Sequence, residues 1–226
     1  MNTVWIYINF FPKKIWRNYV IINDGYFRGL SVNCGDYNQF NVRDDILEAI
    51  LRRFRFMTEC HPRVMLLRFD LRFPQSYYFD TDDKKIQKFM NLFSIYLRRK
   101  GVSYQYVWVK EINQSDNEHY HCVFFVDASK FTSSYDFNCE AKNIWSRICS
   151  DASNNASRTL VHICEMKTDY GLFLDSVLLC KNDPYFDDFF SECFYWISYL
   201  AKTNTKINNP GRGRRFWGAS SCRLDR

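Results

Sequence analysis

From Val64 onward strand-like apolar runs alternate with segments whose apolar residues recur at helical spacing, and that alternation constrains the fold more than any other feature of the chain. Val64 to Phe73 reads as a strand, stopped by Pro74. Asp82 to Arg99 places Ile86, Phe89, Met90, Phe93 and Leu97 on one helical face, with Asp80 and Thr81 as candidate caps and Gly101 as the stop. Tyr104 to Lys110 and His119 to Val126 read as strands joined by the polar loop Asn113 to Glu118, which predicts an antiparallel hairpin. Cys139 to Cys149 reads as a helix containing Ile144, Trp145 and Ile148, and Leu160 to Cys164 as a short strand. An acidic start after Pro184 opens a last helix running to about Lys202. The order β-α-β-β-α-β-α predicts an α+β fold, with a central antiparallel sheet and helices packed on it.

Residues 1 to about 60 look different. Val4 to Phe11 and Tyr19 to Ile22 read as short strands, with turns at Asn23-Asp24-Gly25 and Cys34-Gly35-Asp36. Asp44 to Met57 then carries Ile46, Ile50, Leu51 and Phe54 at helical spacing. We read residues 1–60 as an N-terminal extension ending in a helix, and 61–226 as one domain with a basic tail. A total of 226 residues suffices for a core without disulfides. The nine cysteines include no C-x-x-C pair, and Cys149, Cys164, Cys180 and Cys193 sit among apolar neighbours. That pattern fits free thiols in a reducing compartment and argues against a zinc ribbon. The start lacks a signal-peptide pattern, and no run of 18 apolar residues exists, so neither export nor a membrane partner is expected.

Three groups of residues can carry chemistry. In His119-Tyr120-His121, strand alternation puts both imidazoles on one face, side by side as a divalent ion requires. A hard ion such as Mg²⁺ or Mn²⁺ also wants an oxygen ligand, and Glu111 ends the preceding strand, whereas Glu118 would point away. The competing reading is a pair of polar side chains on an exposed strand face. Second, Tyr195, Tyr199, Lys202 and Lys206 recur at i, i+4, i+7 and i+11, one stripe of a continuing helix. A phenol beside an ammonium can attack phosphorus; the same spacing also fits an aromatic core stripe with a snorkelling lysine. Third, Lys206, Arg212, Arg214, Arg215, Arg223 and Arg226 oppose a single acid, Asp225, in the last stretch of a chain with net charge +6. Interleaved with Phe216 and Trp217, the arginines can bind phosphates while the rings stack on bases. A solvated basic end with two anchoring aromatics is the other reading.

An apolar strand, an H-x-H strand and a helix with Y-x-x-x-Y-x-x-K occur here in the order found in HUH-type single-strand DNA endonucleases. A closer resemblance covers about residues 60 to 222. Val64 to Pro74, Val107-Trp108-Val109-Lys110-Glu111, His119-Tyr120-His121, Ser198-Tyr199-Leu200-Ala201-Lys202 and Phe216-Trp217-Gly218-Ala219-Ser220 resemble the inovirus-type replication protein family, also called the YagK/YfjJ C-terminal domain family. The resemblance implies an HUH-endonuclease or RRM-like sheet. It makes His119 and His121 metal ligands with Glu111 as the third, and Tyr199 the nucleophile. Tyr195 becomes a second nucleophile or a packing aromatic, and Lys202 a stabiliser of charge at the scissile phosphate. Asp70 and Arg68 are left in support, with no chemistry assigned.

The expected activity is Mg²⁺- or Mn²⁺-dependent nicking of single-stranded DNA at a replication origin through a phosphotyrosine. It would initiate rolling-circle replication of a filamentous phage or prophage in a bacterial cytoplasm. Lys206, Arg212, Arg214 and Arg215 would track the DNA backbone. A host helicase and polymerase would be partners, because the chain has no G-x-x-x-x-G-K-[ST] motif of its own. The alternative is a non-cleaving DNA-binding protein that regulates phage replication or transcription.

Overall fold

A computed structural model describes residues 19–74, 84–111, 119–150, 160–168, 171–203 and 215–222. The first part holds β1 (Ile21–Ile22), β2 (Tyr26–Phe27), β3 (Leu30–Ser31), β4 (Val42–Arg43) and α1 (Asp44–Cys60). Then follow β5 (Arg63–Arg72), α2 (Lys84–Arg99), β6 (Tyr104–Glu111), β7 (His119–Asp127) and α3 (Ser134–Ser150). The chain continues with β8 (Val161–Ile163), β9 (Met166–Lys167), β10 (Phe173–Leu174), β11 (Val177–Cys180), α4 (Phe186–Ser198) and β12 (Trp217–Ala219). The expected caps Asp80 and Thr81, the strand Val4 to Phe11 and the loop Asn113 to Glu118 lie outside the described residues.

Six strands form one antiparallel sheet in the order β11-β5-β7-β6-β12, with β8 sharing the outer edge of β5 with β11. Helices cover both faces. Tyr120, Cys122, Phe124 and Val126 of β7 point toward α2 and α3, where Phe89, Phe93, Phe137 and Trp145 fill the core. Val123 and Phe125 point the other way, toward Ile46, Ile50 and Phe54 of α1 and Phe194 and Ile197 of α4. Burial on both sides explains why Cys122 to Val126 is apolar at every position instead of every second one. The fold class is therefore the expected α+β one.

The boundary placed near residue 60 does not separate two bodies. Ile46, Leu47, Ile50, Leu51, Phe54 and Met57 of α1 are all 2% exposed or less. Phe54 stacks on Phe125 of β7 at 5.1 Å and on Phe190 of α4 at 4.1 Å. The amphipathic pattern of α1 was readable, but not the surface it covers. At the other end of the sheet, His61 Nε2 lies 3.0 Å from Ser103 Oγ, and its Nδ1 3.5 Å from Asp127 Oδ2, joining the exit of α1 to β6 and β7.

The two tail aromatics anchor β12 to the α1/α4 core. Phe216 is buried with the α1/α4 core, and its carbonyl accepts from Lys110 N at 2.9 Å. Trp217 packs there too, and its indole Nε1 donates to Asp45 Oδ2 at 3.2 Å. Gly218 lies flat against Trp108: a Cβ there would stand 2.7 Å from the indole, so the pairing of β12 with β6 needs a glycine at this point.

All nine cysteines are free. Burial pushes the Cys149 thiol up to about 12, against a smaller opposing pull from Lys85. Burial likewise raises Cys193 well above its ordinary range, with Glu192 adding to it. Unfolded thiols ionise near the ordinary value of 9.0, whereas these folded ones still hold their protons. Their contribution to stability is therefore complete below about pH 9 and is lost as pH rises toward about 12. The urea midpoint is expected to fall between about pH 8 and about pH 10.5, and Cys149→Ser/Cys193→Ser should flatten that fall. Among the described residues no helix is long and apolar enough to cross a membrane.

Candidate active site

On the α1/α4 face the apolar rows of β5, β6 and β7 give way at one end to charge. Leu66, Val107, Val109, Val123 and Phe125 are followed by Arg68, Asp70, Glu111, His121 and His119. The register brings these together: Asp70 is opposite His121, and Glu111 is opposite His119. Antiparallel pairing puts directly opposite residues on the same face, so two strand ends and one strand start converge.

His121 is the hub. Its Nδ1 lies 2.6 Å from Asp70 Oδ1, and its Nε2 lies 2.5 Å from Glu111 Oε2. A carboxylate only accepts, so each ring nitrogen donates where it meets its carboxylate; with a cation in place of the Nε2 proton, the Asp70 contact would keep the proton on Nδ1. His119 Nε2 stands 3.9 Å from the same Glu111 oxygen. One ligand atom each from Glu111, His119 and His121 falls within 4.8 Å of the others. Donors bonded at roughly 2.1 Å to an octahedral ion stand about 3 Å apart, so small side-chain rotations would suffice. Two imidazoles, one carboxylate and a carboxylate behind one imidazole form a set that fits a divalent ion. Burial alone would push the Asp70 carboxyl up; the hydrogen bond and charge of His121, with Arg68 and Cys164, outweigh it and hold Asp70 below the usual carboxylate range.

The second half of the site comes from the end of α4. Lys202 Nζ is 3.3 Å from Glu111 Oε1 and donates to the Tyr199 hydroxyl. The line His121–Glu111–Lys202–Tyr199 is thus continuous. The Tyr199 ring lies 6.0 Å from the His121 ring and 6.0 Å from Phe40, edge-on to both. Arg68 reaches it from the sheet, its guanidinium carbon 4.8 Å from the ring centre, while Lys202 Nζ stands 4.2 Å from that centre. Two cations thus lie against one phenol ring.

The expected helical stripe does not run through. Regular helix ends at Ser198, Tyr199–Ala201 is a 3₁₀ turn, and Lys202 leaves with ψ 145°. Ser198, fully buried, donates its hydroxyl to Tyr195 O at 2.7 Å and accepts Asn33 N at 2.7 Å, which turns the last residues out of the α-helical path. Thr203 N then bonds Asn41 O, and Lys202 bridges to Val42. The tight turn, not a 3.6 repeat, brings Lys202 onto Tyr199. Tyr195 is 42% exposed and stands apart from the cluster. Lys206, Arg212 and Arg214 lie outside the described residues, and Arg215 is exposed at the foot of β12.

Sequence reasoning left three contributors without a role. Arg68 sits between the rings of Trp196 and Tyr199 and donates to Trp196 O at 3.1 Å. A cation inside an apolar strand was the visible signal; the first of its aromatic partners, Trp196, lies 128 residues on. Asp70 is the orienting carboxylate of His121. Phe40 comes from the segment read as an extension, in a loop bent by Gly35 at φ +76°, where a Cβ would strike the Phe40 ring.

The YagK/YfjJ C-terminal domain family matches residues 33–220. The chain belongs to that family. The match spans α1 through β12, so residues 33–60, including Phe40 beside the Tyr199 ring, lie within the family's domain. Comparison with curated proteins and with solved structures gives no match.

Proposed function

We propose that the chain nicks single-stranded DNA and holds the cut strand through Tyr199. We take the product to be the primer for rolling-circle replication of a filamentous phage or prophage, as the likeness to inovirus-type and HUH replication proteins implies. The observation that carries the reading is the unbroken line of contacts from His121 through Glu111 and Lys202 to the Tyr199 hydroxyl. A hydrolase that activated water would have no use for a phenol held between two cations.

In this reading His119, His121 and Glu111 would hold Mg²⁺ or Mn²⁺, which would supply Lewis-acid stabilisation of the charge on the scissile phosphate. The Lys202 ammonium hydrogen-bonds the Tyr199 oxygen and stabilises the charge that grows there once the phenol proton has left to water. Tyr199 Oη bonds to phosphorus as the P–O3′ bond breaks, and the departing 3′ oxygen takes up a proton. A 5′-phosphotyrosine and a free 3′-hydroxyl result, and the bond energy is kept for rejoining. Asp70 holds His121 in the tautomer that presents Nε2.

Incubation with labelled single-stranded origin DNA and Mn²⁺ should give a protein–DNA band that survives denaturation. The band should vanish with EDTA and in His121→Ala. DNA binding without any adduct would leave the non-cleaving regulator as the function. Asp70→Asn is expected to weaken Mn²⁺ binding about 10–100-fold in titration calorimetry while the ligands themselves stay intact. Unchanged affinity would remove Asp70 from the site.

A further inference from the structure

We propose that the groove between α2 and the β6–β12 edge of the sheet binds a short run of nucleotides flanking the cleavage point. The groove has a volume of about 540 Å³, within the range of ligand sites. Its floor is formed by Tyr104, Tyr106 and Trp108 of β6, and Arg98 of α2 and Arg215 stand at its sides. No carboxylate lines it among the described residues. In a chain with 25 acids that is a local excess of positive charge suited to a polyanion.

The aromatic floor adds the second half of the argument. Residues two apart on a strand share a face. Tyr104 and Tyr106 lie nearly parallel, 10° between planes with centroids 6.5 Å apart, and both are only half-buried. A ladder of half-buried phenols one strand in from the β12 edge, with arginine beside it, is an arrangement that can stack unpaired bases while the backbone lies along the cations. Exposed amides of Gln87 and Asn91 on α2 face the same groove and can meet base edges.

The groove lies on the α2/α3 face of the sheet and the candidate site on the α1/α4 face, with β12 as the edge strand between them. The Phe216 carbonyl accepts from Lys110 N, so Arg215 stands at the Glu111 end of β6 and Tyr104 at the far end. A strand leaving the scissile phosphate over the sheet edge would meet Arg215 first, then the tyrosines. The assignment rests on the reading that the substrate is single-stranded DNA, and it adds where the flanking bases go.

The test is fluorescence anisotropy of the full chain with labelled oligothymidylate, without metal, in a Tyr199→Phe background, so that cleavage plays no part. Arg98 is exposed, so Arg98→Glu reverses the charge without touching the core. It should lower affinity at least tenfold and reduce the salt slope by about 0.7. Tyr104→Ala should lower affinity about fivefold or more at any salt concentration. If the parent binds and both variants bind as it does, within twofold, the groove assignment is overturned while the nicking reading stands. If the parent itself fails to bind, both fall together. Variants that keep DNA affinity but change sedimentation would make the groove a contact between copies of the chain and overturn the assignment.

Discussion

Tyr199→Phe is expected to reduce covalent capture of DNA by at least about 10³-fold and to leave the fold unchanged. The ring contacts with Arg68, Phe40 and His121 do not use the hydroxyl. What is lost is the oxygen that Lys202 contacts. Tyr195→Phe should keep capture within a fewfold, because Tyr195 is exposed on α4 and it is the Tyr199 hydroxyl that Lys202 contacts. Denaturing gels of the two variants beside the parent separate the phenols. Capture surviving in Tyr199→Phe and lost in Tyr195→Phe would reverse the assignment and mean that the end of α4 rearranges on DNA.

Deleting residues 1–60 is the second large effect. The fragment should fail to unfold cooperatively in a thermal or urea titration. Six apolar side chains of α1 are at most 2% exposed. At about 1.5–3 kcal/mol each, their burial is worth roughly 9–18 kcal/mol as an upper figure. The whole margin of a domain is about 5–15 kcal/mol. Without α1, Val64, Leu66, Val107, Val123 and Phe125 would face water on the side it covers. A 61–226 fragment that melts cooperatively would show that α4 alone can close that face, and that the segment serves only the site through Phe40 and Asn33.

The sheet was legible because its constraints are local. Val64 to Phe73 and His119 to Val126 are long apolar runs with marked ends, and the polar loop that joins two strands adjacent in sequence left an antiparallel hairpin as the simplest pairing. That pairing also put Glu111 beside His119, since both border the loop. The geometry of Tyr199 and Lys202 was not legible. A 3.6 repeat carried past Ser198 assumes that the helix continues, and nothing local to the sequence shows that Ser198 bonds the backbone of Asn33, 165 residues away. Phe216 and Trp217 raise the same difficulty. Aromatics beside arginines satisfy a nucleic-acid pattern and a core anchor equally, and only the pairing of β12 with β6 distinguishes them. Arg68 was visible but mute, because a guanidinium takes its role from the rings around it.

The most direct measurement is the residue that carries the nucleotide. The adduct formed with Mn²⁺ and single-stranded origin DNA would be trimmed with nuclease and digested with trypsin. The peptide Asn182 to Lys202 follows Lys181, contains no other basic residue before its end, and holds Tyr185, Tyr195 and Tyr199. Fragmentation by mass spectrometry should place the phosphonucleotide on Tyr199. A nucleotide on Tyr195 or Tyr185, or on a residue outside this peptide, would contradict the account of how Lys202, Glu111 and the histidines prepare one phenol for attack.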